Sequence, residues 1–135
     1  MRTGSSEQVA AFFVEFEQAS EQQDWGRYEG LFLDQFLSAD PTSAGVVARD
    51  ALITFLPHRK AVFERAGATG TTLVDLDVEQ LDDKHVLAST TWAVVFDHDH
   101  DPVQLRSTFL LRHDDRWRIA VYLNHGNLLE LLGLT

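Results

Sequence analysis

The sequence predicts an α+β domain in which three N-terminal helices pack on one face of a strongly curved antiparallel sheet. Two patterns predict it. Apolar residues recur at helical spacing through the first half of the chain and alternate with a period of two from about residue 71 onward. Short polar turns then separate consecutive long strands, the mark of an antiparallel meander, and helices followed by a meander give a two-layer α+β domain. A third observation locates the join. In the stretch from Asp24 to Pro41, DWGRYEGLFLDQFLSADP, a helical period breaks into a short strand that ends on an acid.

The elements follow in order. Residues 5–23 form a helix capped by Ser5 or Ser6, with Val9, Phe12, Phe13, Phe16 and Ala19 as its apolar stripe. Asp24 caps a second, short helix to about Leu33, carrying Trp25, Tyr28, Leu31 and Phe32. Phe36, Ser38 and Asp40 alternate with Leu37 and Ala39 as a strand, and Pro41 ends the ladder because it has no N–H to donate. Residues 41–45 read as a loop. A third helix starts near Asp50, is kinked or split at Pro57 and stops at Gly67. Strands follow over 71–81, 85–97, 103–113 and 116–125, with Val74, Leu76 and Val78 on one face of the first. Both faces of the second are largely apolar, as are those of the third, so the sheet needs cover on its outer side. A homodimer through the sheet is the simplest account; twist and loops are the alternative. The apolar segment from Asn127 to Thr135 reads as a short helix that lids the cavity, caps a dimer or docks a partner.

The chain has 135 residues, enough for a single domain with its own core. Lys and Arg number 11 against 21 Asp and Glu, a net charge of −10. That field repels phosphate backbones and anionic headgroups, so neither nucleic acid nor a membrane surface is an expected partner. Cysteine is absent, which excludes disulfide and thiol chemistry and fits a cytoplasmic protein. MRTGSSEQ has no apolar run after its single Arg, so no signal peptide is expected. No Gly-rich phosphate cradle or nucleophile elbow occurs, and no cofactor is implied. In the run Asp97-His98-Asp99-His100-Asp101, alternate residues of an extended segment point opposite ways, so a solvated hairpin loop is expected there rather than a metal site.

The segment DWGRYEGLFLDQFLSADP, the helix opening ARDALITF (Ala48–Phe55) and the closing WRIAVYLNH (Trp117–His125) resemble the nuclear transport factor 2-like superfamily, in its SnoaL-like and ketosteroid isomerase-like branch. The resemblance implies a cone-shaped, cystatin-like α+β fold over nearly the whole chain, and it makes a homodimer through the sheet a familiar arrangement. It also makes Asp40-Pro41 similar to the Asp-Pro of ketosteroid isomerases, whose Asp is the proton-shuttling base. The isomerases' two oxyanion donors are missing: the comparable positions hold Phe16, and Phe109 or Thr108. Steroid isomerisation itself is therefore not expected.

Two readings stand for each polar candidate. Asp40 is a general base or anchor, or it caps the loop before Thr42 and Ser43. His125 follows Trp117, Ile119, Val121 and Leu123 in strand phase, and is either an acid/base partner of Asp40 or a hydrogen-bonded strand-end His. In this phase Tyr122 and Asn124 face the dimer side. Trp92 lines a cavity or packs in the core, and Arg106 is an anion anchor or an interface partner of Asp75, Asp77 or Glu79. The expected site is an apolar cavity drawn from Phe16, Tyr28, Phe32, Phe55, Trp92 and Phe109, with Asp40 and His125 as its polar points. Such a cavity suits a small apolar organic ligand. The expected function is a cofactor-independent isomerase, cyclase or dehydratase of unassigned substrate with Asp40 as base; the alternative is a non-catalytic binding or dimerisation domain with a vestigial pocket.

Overall fold

The period change near residue 30 marks a real switch of structure. A computed structural model describes residues 2–65, 67–96 and 101–126. Its elements are α1 (Arg2–Glu21), α2 (Trp25–Glu29), β1 (Phe32–Asp40), β2 (Ser43–Ala48), α3 (Arg49–Arg65), β3 (Ala68–Gln80), β4 (His85–Phe96), β5 (Val103–His113) and β6 (Trp117–Asn124). Asp24 caps α2 by accepting from the Arg27 amide at 3.3 Å, as the sequence implied. The positive φ of Gly67 follows the last turn of α3, where its amide donates to the Glu64 carbonyl at 2.9 Å.

Four expectations need correction. The helices are not three N-terminal ones: α1 is the one long N-terminal helix, α2 has five residues, and α3 comes only after β1 and β2. Strand β2, read from sequence as loop and helix lead-in, pairs antiparallel with β1 from Asp40↔Ser43 to Gln35↔Ala48. The sheet is mixed rather than antiparallel. Its six strands run β2-β1-β6-β5-β4-β3, and β1 lies parallel to β6. Pro57 sits inside a continuous α3 rather than splitting it.

Two β-bulges set which residues face inward. In β3 the register shifts between Leu73↔Trp92 and Asp75↔Thr91, leaving Val74 out of the ladder and 55% exposed. Leu73, Leu76 and Val78 therefore pack on the core instead of Val74. In β6 the register shifts between Leu110↔Val121 and Leu111↔Ile119, so Ala120 is the unpaired residue. Before it, Ile119 is fully buried and the Trp117 indole donates to Gln8 of α1 at 3.0 Å. After it, the inward set moves from odd to even numbers, and Tyr122 packs against Phe109 with ring centroids 4.5 Å apart.

The core lies between α1 and the concave sheet face. Phe13 is fully buried at its centre, in edge contact with Phe12, Phe16, Trp92 and Phe109 at centroid separations of 4.9–6.2 Å. No helix among the described residues is long and apolar enough to cross a membrane. Truncating the core centre removes many contacts at once, whereas Val14, one residue on, is 53% exposed. We expect Phe13→Ala to cost about 3–5 kcal/mol in urea unfolding and Val14→Ala no more than about 0.5 kcal/mol.

Candidate functional site

A cavity of about 150 Å³ opens between α1, α2 and α3 on one side and β3–β6 on the other. That volume holds one small ring. Its apolar wall comes from Phe16 of α1, Trp25 and Tyr28 of α2, Leu56 of α3, Trp92 of β4 and Tyr122 of β6. The rings touch in sequence: Phe16 lies 5.0 Å from Tyr28, 5.8 Å from Trp92 and 6.4 Å from Tyr122, centroid to centroid.

One sheet-side patch of the cavity is polar and tightly specified. Thr90 and Ser107 are both buried, on neighbouring inward positions of β4 and β5. The Trp92 indole donates to Thr90 Oγ1 at 2.8 Å, and Thr90 Oγ1 donates to the Ser107 carbonyl at 3.0 Å. Ser107 Oγ then donates to Asn124 Oδ1 at 2.6 Å. This chain consumes the donors of Trp92, Thr90 and Ser107 internally. It also engages the Asn124 amide by its oxygen, and no hydrogen bond reaches its NH₂ group among the described residues. Ser107 and Asn124 are directly paired across β5 and β6, so the backbone sets their separation.

The predicted site residues divide. Phe16, Tyr28 and Trp92 line the cavity. Phe32 and Phe109 do not: both are fully buried in the aromatic core behind it, Phe32 against Tyr28 and Phe36, Phe109 against Phe13 and Tyr122. The side chain of Phe55 lies outside the described residues, as do 97–100 of the Asp97–Asp101 run and the segment 127–135.

Asp40 is a turn residue, which corrects its reading as a base. Its Oδ1 accepts from the Thr42 amide at 2.8 Å, the Thr42 hydroxyl at 2.6 Å and the Ser43 amide at 3.1 Å. It thereby closes the β1–β2 hairpin from outside the cavity wall. The Thr42 hydroxyl, then the Thr42 and Ser43 amides, hold its carboxyl below the ordinary carboxylate range. A general base gains from the opposite shift. His125 is corrected as well. It is exposed beyond the end of β6, with Nε2 against Thr108 Oγ1 at 2.6 Å, and is not part of the cavity wall. Strand phase failed here because the Ala120 bulge turned 121, 123 and 125 outward. Tyr122 and Asn124, assigned by that phase to the dimer side, are the residues it delivers to the cavity. The missed signal was Ser107, a polar residue on an otherwise apolar inward face, which demands a partner on β6.

This geometry, a long helix and a bent mixed sheet around a cone-like cavity, agrees with the comparisons. A family model described as "NTF2-like protein (DUF6841)" matches residues 5–127. The chain belongs to that nuclear transport factor 2-like family. Among solved structures, it resembles an NTF2-like protein of unknown function from Shewanella oneidensis at 14% identity and a TM-score of 0.69, covering 90% of this chain and 98% of that one. An NTF2-like protein with a cystatin-like fold from Novosphingobium aromaticivorans is 12% identical with a TM-score of 0.73, covering 89% and 80%. A third, from Streptomyces avermitilis and provisionally named a dehydratase of the NTF2-like family, is 16% identical with a TM-score of 0.66, covering 94% and 99%. At these identities the likeness shows the fold alone. No curated protein matches the chain.

The Asp40 cap carries a pH signature. Its carboxyl titrates lower in the folded chain than the unfolded value near ~3.9, so its contribution to stability is complete above that value. The contribution is lost as pH falls through the lower folded value. We expect Asp40→Asn to flatten this part of the acid-unfolding curve, and NMR titration to place the Asp40 carboxyl below the ordinary range.

Proposed function

We propose that this protein binds a small, largely apolar organic molecule in the Phe16–Tyr122 cavity, with Asn124 as the polar contact that orients it. The observation carrying this is the relay ending on Asn124. It satisfies the other buried side-chain donors of the patch within the protein and leaves the NH₂ group of a cavity-lining Asn without a protein partner. An aromatic wall with a few placed polar groups is the usual build of a small-molecule site. The Streptomyces relative's name supports a pocket that handles organic substrates, but Asp40 and His125 do not supply the acid/base pair such chemistry would need here. Binding is therefore the reading favoured over Asp40-based proton transfer.

Two of the three tryptophans, Trp25 and Trp92, line the cavity, so indole fluorescence reports its occupancy. With benzyl alcohol as probe we expect a saturable change. Asn124→Leu should weaken binding ~3–10-fold, the worth of one hydrogen bond. Ser20→Trp, on the exposed rim of α1, should narrow the mouth and weaken it further, while Asp40→Asn and His125→Ala leave it unchanged. Loss of binding in Asp40→Asn with Asn124→Leu unaffected would restore the Asp40 reading.

We further propose that a second copy of the chain covers the outer sheet face. Leu37, Val121, Leu110 and Leu87 form a row there across β1, β6, β5 and β4 by direct pairing. Arg106 is exposed farther along the same face of β5, and Asp75, Asp77 and Glu79 are exposed on β3, a complementary set for a two-fold contact. Sedimentation should give a dimer that Val121→Arg converts to monomer; a monomeric parent chain would remove the proposal.

A further inference from the structure

The charged side chains at the cavity mouth go beyond the binding of an apolar molecule to the ligand's own charge. Glu17 and Glu21, one turn apart on α1, and Glu64 of α3 border the cavity, against a single cation, Lys60. Glu17 is held in place: the Leu73 amide of β3, the edge strand of the sheet, donates to Glu17 Oε1 at 2.8 Å. Among the described residues, neither the Glu21 nor the Glu64 carboxylate has an ion-pair or hydrogen-bond partner. The rings of Trp25, Tyr28 and Trp92 line the same cavity.

From this combination we infer that the cavity selects a small organic cation, an ammonium group on a body of about one ring. The inference rests on the reading of this cavity as a ligand site. Aromatic faces attract an organic ammonium through their quadrupoles, and the attraction grows as the group leaves water. The rim carboxylates favour the same charge and oppose an anionic ligand, and the net charge of −10 draws cations toward the chain at long range. A metal ion fits less well, because no group of three His, Asp or Glu among the described residues converges to hold one. The charged head would sit at the mouth among the carboxylates, with the apolar body inward toward Phe16 and Tyr122.

The test uses three probes of matched size on the intact chain: benzylammonium, benzyl alcohol and benzoate, titrated calorimetrically. Benzylammonium should bind ~5–10-fold more tightly than benzyl alcohol, with benzoate weakest. The gap should shrink as salt rises to ~0.5 M, because exposed charges are then screened. Glu17→Gln keeps an acceptor for Leu73 while removing the charge. Combined with Glu64→Gln and Glu21→Gln, it should bring benzylammonium close to the benzyl alcohol affinity; Glu21→Gln alone, at an exposed site, should narrow the gap ~2-fold without a folding cost. Benzyl alcohol binding as well as benzylammonium, or benzoate binding best, would overturn the inference and leave the cavity as a ligand site. Failure of all three to bind would overturn both.

Discussion

A single unpaired residue, Ala120, decides what the cavity of this protein contains. Side chains alternate along a strand, so one extra residue exchanges the two faces for everything after it. Ile119, before the bulge, is fully buried; Tyr122 and Asn124, after it, turn inward, and Val121, Leu123 and His125 turn out. The β1 register breaks at the same level of β6: Phe32↔Ile119 gives way to Leu37↔Val121, with Asp34 and Gln35 exposed between. Arg49 at the start of α3 reaches Asp34 at 3.0 Å, tying the helix to this irregular stretch. Thus the bulge brings Tyr122 and Asn124 to the cavity wall and leaves an apolar row on the outer face.

Ser107 makes the bulge consequential. A buried hydroxyl without a partner costs about 1–3 kcal/mol, so an inward Ser on β5 needs an acceptor across the ladder. Asn124 supplies it only because the phase has shifted. The relay from Trp92 through Thr90 and the Ser107 carbonyl, joined by the Ser107 hydroxyl to Asn124, ends at the cavity wall. At the sheet edge, the Leu73 amide of β3 holds Glu17 beside the cavity.

Much of the fold was legible because long patterns carry it. The stripe from Val9 to Ala19, the Asp24 cap and the strands from 68 to 124 were read to within a few residues, since each rests on many side chains and on turns with plain chemistry. Strand β2 was lost because SAGVVA is short, mostly exposed and paired to one neighbour only. The parallel β1–β6 pair was lost because sequence order says nothing of strands 80 residues apart. Within the site, Phe16, Tyr28 and Trp92 were found from their faces on α1, α2 and β4. Tyr122 and Asn124 were not, because Ala120 carries no Gly or Pro to announce a bulge. Asp40 shows the limit of a short motif: Asp-Pro before Thr-Ser is equally the sequence of a hairpin cap, and three hydrogen bonds to one oxygen make it one.

The central claim is that the inward phase of β6 changes at Ala120. A side-chain NOESY spectrum with selectively labelled aromatic and methyl groups tests it most directly. The account predicts cross-peaks from the Tyr122 ring to the rings of Phe16 and Phe109, and none from the Val121 or Leu123 methyls to Phe16. Strong Val121 and Leu123 cross-peaks to Phe16, with Tyr122 showing none, would contradict it and return His125 to the cavity side.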